Sequence, residues 1–475
     1  LASFFTIGEK KVRPGIYFRY ENWGTPPIAG AADGRCGAVF RSNWGPLAKP
    51  VAIENFSHIA RVYGEGGTTS VALEQFRGGA RLVFAMRLGD ASTATAGSYL
   101  IEDTDIAPVA VLRLVMRYPG SRQFSVTIRP TLDNPAVGEL LLLDDTTVLE
   151  KFTFDISAGA DQVNGLLEAT RKSSYFTLVK LADSTEPLAV VDQDPVTPGT
   201  DPLVNVAAYS AAFEALEASR WNVLAMDTSN LSVQVLMQMY LNRVYQSGKF
   251  VMGVVGEDSS VPLETRMLHA SAFNDYRLVY VGSGFVDLTG EVYEGWKAAA
   301  RVAGMIAGTP SNESITHAPI AGATELVEQL TNFQYESAIL AGMLTFSTSA
   351  ANTVWVEQGI NSLVLPGSND DVGWKKIKRV KVRFELMQRL NDTIELLVGR
   401  INNDPDGRMT VVQSGNGVCN AMVAERKLLG GAHCVLDPDN APAGDSAWFL
   451  VYADDIDALE KMYFTFKFRF APDEQ

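Results

Sequence analysis

Few residues in this chain have the types and spacing to do chemistry. Asp227 closes the apolar run Asn222-Val223-Leu224-Ala225-Met226, and the carboxyl end of a buried parallel strand is a common seat for a catalytic group. His269, His317 and several serines could complete a Ser-His-Asp set, but no nucleophile elbow is present, and a carboxylate at a strand end more often caps or turns the chain. Gly282-Ser283-Gly284-Phe285 offers the first two glycines of a dinucleotide loop, yet Asp287 stands where the third is needed for close helix packing. No Walker-type phosphate loop occurs. Cys36, Cys419 and Cys434 and the histidines His58, His269, His317 and His433 lack metal-ligand spacing, and the adjacent pair His433-Cys434 has no second pair to complete a four-ligand site. No catalytic, cofactor-binding or metal-ligating residue is therefore expected, and the cysteine usage fits a reducing, cytoplasmic compartment.

Two other constellations concern association rather than catalysis. Met462, Phe464, Phe466, Phe468 and Phe470 alternate with Tyr463, Thr465, Lys467 and Arg469, so an extended strand over 462–470 would carry one fully apolar face. Such a strand must dock on a sheet, in its own chain or in a neighbouring copy, because an unpaired apolar edge aggregates. Ile16, Phe18 and Tyr20 repeat the alternation more weakly after Pro14-Gly15. The second constellation is Lys375, Lys376, Lys378, Arg379, Lys381 and Arg383, a basic cluster in an acidic chain. It reads either as the solvated face of an amphipathic helix or as a patch that meets an acidic surface, such as Asp454, Asp455, Asp457 and Glu460, on another copy.

The elements that must position these groups follow from periodicity. Strands are predicted at Gly37 to Phe40, Arg81 to Arg87, Asn222 to Asp227, Phe250 to Val255 and Arg277 to Val281. They alternate with helices at Phe56 to Tyr63 (capped by Ser57), Val71 to Phe76, Tyr209 to Ser219, Val233 to Tyr245, Leu263 to Ala272 and Tyr293 to Ile306. Successive βα repeats predict a mostly parallel sheet covered on both faces. Between them, short strand-like runs from Val109 to Leu181 with little helical periodicity read as an inserted all-β module, closed by a linker from Asp192 to Pro202. Past Pro366 a helix is expected from Trp374 to Gly399 and another from Val412 to Leu429, then strands Trp448 to Tyr452 and Met462 to Phe470. The fold class is thus multidomain α/β and α+β, with a central parallel layer, an inserted β-rich domain, and a C-terminal α+β domain ending in an exchangeable strand. The boundaries read as an N-terminal arm 1–23, a discontinuous central domain 24–96 and 203–355, the insert 97–202, a C-terminal domain 356–457 and a strand arm 458–475.

Composition limits what such a chain can do. Its 475 residues exceed what one core serves, and 47% apolar with 20% charged residues is ordinary for a globular protein. A formal net charge of -15 opposes binding to nucleic acid through phosphates. No run of about 18 apolar residues for a membrane span and no basic-then-apolar leader is read.

The chain resembles the tail sheath proteins of contractile bacteriophages and of phage-tail-like particles. The resemblance is carried by Val302-Ala303-Gly304-Met305-Ile306-Ala307-Gly308-Thr309-Pro310-Ser311-Asn312-Glu313-Ser314-Ile315-Thr316, by Val356-Glu357-Gln358-Gly359-Ile360-Asn361-Ser362-Leu363 and by Val398-Gly399-Arg400-Ile401-Asn402-Asn403-Asp404-Pro405-Asp406-Gly407-Arg408. Pro14-Gly15-Ile16-Tyr17 and Tyr118-Pro119-Gly120 add support. Two departures, Ser121-Arg122-Gln123-Phe124 after Tyr-Pro-Gly and Pro198-Gly199 in place of a double glycine, fall at loops of the insert. The resemblance implies a structural, non-enzymatic subunit with a subtilisin-like layer lacking its catalytic residues. It further implies hexameric rings stacked as a helical polymer around an inner tail tube, with baseplate and tail terminator proteins as partners and no membrane insertion. Such a protein is assembled in the bacterial host cytoplasm and resides in the virion or particle. The terminal strands, 8–22 and 458–470, become inter-subunit linkers under this reading. The competing classes are a non-contractile tube or shell protein and an α/β hydrolase.

Overall fold

The computed structural model describes residues 34–367 and 371–468, with the backbone alone at 3–4 and 17–18. Among the described residues the chain divides into two compact units, one formed by 34–384 with 455–468 and the other by 385–454. No helix among them is long and apolar enough to cross a membrane.

The larger unit is built on a seven-stranded sheet in the order Met343–Leu344, Leu278–Val281, Met252–Gly256, Val223–Met226, Arg35–Phe40, Leu82–Arg87, Val51–Ile53. Every neighbouring pair is parallel except the edge strand Val51–Ile53, which runs antiparallel to Leu82–Arg87. Val223–Met226, Met252–Gly256 and Leu278–Val281 are buried at every residue, as strands covered on both faces must be. Ile59, Tyr63, Val71 and the helix Trp296–Gly308 cover one face. Phe213, Met237, Tyr240 and Phe273, from helices Val206–Leu216, Leu231–Gln246 and Leu263–Phe273, cover the other. The predicted parallel layer is present, with its helix caps adjusted: the helix Phe56–Tyr63 is capped by Asn55, which accepts from the His58 amide at 3.0 Å, rather than by Ser57.

Small residues let Trp296–Gly308 sit unusually close to Ser70–Gly78. A Cβ on Gly304 would stand 2.0 Å from the Gln75 carbonyl oxygen, and one on Gly78 2.3 Å from that of Arg301. Across the same contact, Arg301 Nη2 meets Glu74 Oε2 at 2.6 Å with both side chains buried.

The insert holds two antiparallel sheets. Ala96–Glu102, Ala110–Pro119 and Phe176–Lys180 form one; Ser125–Pro130, Val137–Asp144, Thr147–Asp155 and Val191–Pro195 form the other. Two expectations need correction. The module is not all-β, because Gln162–Ala169 is a helix, capped by Asp161 and turning Val163 and Leu166 inward; at eight residues it shows too few turns for periodicity to register. Residues 191–195 are not linker but an edge strand, whose acidic, proline-ended sequence reflects an exposed edge rather than disorder.

The helix Ile377–Ile394 is shorter than its expected 374–399 span, with single tight 3-10 turns at Val372–Lys375 and Glu395–Leu397. In the smaller unit the helix Pro405–Ala424 starts seven residues before the predicted Val412. Asp404 caps it by accepting from the Gly407 amide at 2.7 Å, and proline is tolerated at the first helical position, so residues that read as breakers are the start signal. It ends at Ala424, five residues before the expected Leu429. An unanticipated strand, His433–Leu436, pairs antiparallel with Phe449–Tyr452. The expected strand Met462 to Phe470 is not formed at 462–468, where no ladder partner is present among the described residues; a strand needs a neighbour for its main-chain hydrogen bonds. Arg469 and Phe470 lie outside the described residues.

Candidate functional site

The parallel order reverses between Arg35–Phe40 and Val223–Met226, and the crevice outside their carboxyl ends is where open α/β sheets bind ligands. Here that crevice is occupied by the protein itself. Asp227 is 1% exposed. Its Oδ1 accepts from the Tyr209 hydroxyl at 2.7 Å, and its Oδ2 from Arg41 Nε at 2.7 Å, the Arg41 amide at 3.1 Å and the Thr68 hydroxyl at 2.5 Å. With four donors on its two oxygens the buried carboxylate is committed to the fold, and no histidine is among these partners.

Neither candidate histidine comes to it. His269 Nδ1 lies 2.9 Å from Glu257 Oε2, a carboxylate that also accepts from the Tyr280 hydroxyl at 2.5 Å, while the His317 ring stacks on Trp355 at 4.3 Å. Gly282-Ser283-Gly284 joins strand Leu278–Val281 to strand Phe285–Asp287 and opens no helix, so it cannot present amides to a pyrophosphate. Cys36, Cys419 and Cys434 are buried, and burial pushes each thiol up from its ordinary range, away from nucleophilic character. Among the described residues no group of three His, Cys, Asp or Glu side chains is placed to hold a metal ion.

The basic cluster organises a different site. Arg379 pairs with Asp455 through two nitrogens, the Nη2 to Oδ1 distance being 3.0 Å. Arg383 Nη2 reaches Asp455 Oδ1 at 3.0 Å and Asp371 Oδ2 at 2.8 Å while its guanidinium lies 4.5 Å from the centre of the Trp374 ring. Lys376 Nζ bridges Asp457 at 2.8 Å and Glu460 at 3.1 Å. Glu460 also accepts from the Thr316 hydroxyl at 2.8 Å and from Gln358 Nε2 at 3.1 Å. Burial alone would raise the Asp455 carboxyl, but hydrogen bonds and charge from Arg379 and Arg383 outweigh it and hold the group below the usual carboxylate range. Burial likewise opposes Glu460, and Gln358, Thr316 and Lys376 outweigh it in the same direction.

The remaining cations do other work. Lys381 donates to the carbonyls of Ile306 (2.6 Å) and Thr309, closing the C-terminus of the helix Trp296–Gly308 where a cation meets the helix dipole. Lys375 donates to the Leu340 carbonyl at 3.3 Å. Lys378 is buried, and burial pulls its ammonium down. The six residues are therefore neither a solvated helix face nor one open patch: Asp455, Asp457 and Glu460, expected on another copy, meet Lys376, Arg379 and Arg383 within one chain. Asp454 belongs to the smaller unit, where its carbonyl accepts from the Leu429 amide at 2.8 Å.

Exposure is mixed along 455–460, where Leu459 is 77% exposed, and becomes uniform beyond Glu460. Glu460 has a side chain 9% exposed, whereas Met462 is 61%, Phe464 75%, Phe466 76% and Phe468 93% exposed. The rings of Phe466 and Phe468 stack on each other at 6.2 Å, as side chains two apart on an extended chain do. Phe470, Ile16 and Tyr20 lie outside the described residues; the backbone at Phe18 pairs in parallel with that at Phe4. Sequence reasoning named the basic residues and the aromatic ribbon but missed Thr316, Gln358 and Trp374. The alternation of Asp455 and Asp457 just ahead of Glu460 was the available signal.

The chain thus combines a parallel-layer fold, whose strand-end carboxylate Asp227 is tied up within the fold, with an acidic segment held on the larger unit and an exposed aromatic ribbon after it. Residues 204–362 match the family model described as the phage tail sheath protein central domain, so this segment is a phage tail sheath domain. Two Bacillus subtilis (strain 168) proteins are similar at 23% identity, each alignment covering 83% of this chain and 82% of the relative: YqbK, and XkdK of the phage-like element PBSX. Among solved structures, the sheath tail protein of Desulfitobacterium hafniense aligns with a TM-score of 0.70 at 19% identity, covering 94% of this chain and 98% of that one. The sheath tail protein of Listeria innocua gives 0.68 at 15%, covering 90% and 96%. The helical sheath of the anti-feeding prophage in its contracted state gives 0.54 at 11%, covering 97% and 99%. These likenesses concern the fold.

Proposed function

We propose that this chain is the structural subunit of a contractile tail sheath, polymerising as stacked hexameric rings around an inner tail tube and shortening to drive that tube through a cell envelope. The observation that carries the reading is the ribbon Met462 to Phe468, apolar on one face, exposed, and without a ladder partner among the described residues, immediately after a segment fixed to its own chain. An extended segment of this kind is satisfied by adding to the sheet edge of another copy. The antiparallel pair His433–Leu436 and Phe449–Tyr452 is a suitable acceptor, since a two-stranded sheet is marginal alone and Val451 and Tyr452 are exposed on it. One such link is weak; many along a polymer are strong by multivalency. The proposed partners are further copies of the chain, a tail tube protein, and baseplate and terminator proteins, within a phage or phage-tail-like particle assembled in the bacterial cytoplasm. Nucleic acid and membrane are not partners under this reading.

The test is negative-stain microscopy of the concentrated protein beside a version ending at Glu460. The full chain is expected to give wide hollow cylinders and the shortened one a folded, unassembled subunit. Normal cylinders from the shortened chain would sink the proposal; thin tubes or closed shells from the full chain would point to a non-contractile assembly.

A further inference from the structure

The ion-pair cluster around residues 455–460 has a role of its own, one that rests on the sheath reading only for its purpose. Arg379 and Arg383 hold Asp455, Lys376 holds Asp457 and Glu460, and Thr316 and Gln358 bind the Glu460 carboxylate from a separate stretch of chain. These donors come from three places in the larger unit: residues 376–383, Thr316 and Gln358. Asp455 and Glu460 pair with oppositely charged groups in partly buried surroundings, where screening by salt is weak, while the Asp457 pair is more open to solvent. Among the described residues this attachment stops at Lys461, and 461–468 belongs to no helix or strand and is exposed.

We infer that Lys376, Arg379, Arg383, Thr316 and Gln358 form a permanent seat for residues 455–460, so that the segment exchanged between copies begins at Lys461 and force on it is delivered to the larger unit of its own chain. Without the seat, a pull on the ribbon would peel the chain back toward Tyr452. With it, the free leash as far as Phe468 spans about 26 Å, at about 3.3 Å per extended residue. Arg379 and Lys376 are positioning residues: they place the ribbon's origin and take no part in its pairing.

The seat is tested on the unassembled subunit by limited proteolysis with a glutamate-specific protease, following cleavage of the Glu460–Lys461 bond by mass spectrometry. Trypsin cleavage after the neighbouring Lys461 serves as an exposed reference. In the unaltered protein Glu460 is expected to be cut slowly. Arg379→Met with Arg383→Met should speed that cut at least tenfold and leave the tryptic rate unchanged. Lys376→Met, a milder change at a quarter-exposed side chain, should speed it several-fold, and Lys376→Arg should restore the slow rate. The Lys376 pair decides the matter if the double variant fails to fold. Equal cutting of the unaltered and Lys376→Met proteins overturns the seat, whatever the polymer does. Failure of the chain ending at Glu460 to lose assembly overturns the sheath reading and leaves the seat standing.

Discussion

At the scale of single residues, polar side chains that resembled catalytic candidates are consumed in structure. Asp227 is the clearest case: its four hydrogen bonds tie the ends of two parallel strands to Thr68 and Tyr209. Asp227→Ala strands the buried Tyr209 hydroxyl and is expected to cost about 2–4 kcal/mol, read as a lowered denaturation midpoint. Glu425 gives a pH signature. Arg389 Nη2 lies 2.7 Å from it, Lys427 Nζ also 2.7 Å, and hydrogen bonding from Arg389, against the opposing pull of burial, brings its carboxyl down to about 2. Because the folded value lies below the unfolded one, the stabilisation is complete above the ordinary glutamate range and drains away as pH falls toward 2. Asp455 and Glu460 are shifted in the same direction. Melting temperature should therefore fall as pH drops from about 5, the upper edge of the ordinary carboxylate range, toward about 2, and Glu425→Gln should flatten that slope.

Secondary-structure elements were legible where periodicity had room to show and illegible where it did not. Val223–Met226 and Leu278–Val281 announce themselves as unbroken apolar runs between helical patterns, the mark of a strand buried on both faces. Gln162–Ala169 is two turns long, Val191–Pro195 has the composition of a loop, and Pro405 with Gly407 disguises a helix start. The seat for the C-terminal arm was hidden for another reason. Arg379 and Asp455 are 76 residues apart, and charge alone says only that such groups will find opposite partners, not whether in the same molecule. The glycines of Trp296–Gly308 carry an element-scale prediction. Gly304→Ala sets a methyl against the Gln75 carbonyl, backbone against backbone, and should cost about 1–3 kcal/mol or more as overpacking. Gly248→Ala, where a Cβ would meet nothing within 4 Å, controls for volume alone, although its positive φ of 82° adds some backbone strain. Differential scanning calorimetry should rank Gly304→Ala as the more damaging of the two.

For the whole molecule, the proposed function makes assembly depend on one seated origin and one exposed ribbon per copy. Disrupting the ribbon by Phe464→Ser with Phe466→Ser, side chains already three-quarters exposed, should leave the subunit's melting temperature within about 1 °C, since exposed sites contribute little to folding, while cylinders vanish from micrographs. Loss of folding alongside loss of cylinders would place those phenylalanines in the subunit's own core instead. A lattice knitted from one ribbon and one receiving hairpin per copy is directional, because the joined surfaces differ. At one extremity ribbons dangle without hairpins, and at the other hairpins gape without ribbons. Whatever nucleates such a cylinder and whatever halts it must therefore offer opposite halves of the same joint, so its two stoppers cannot be interchangeable.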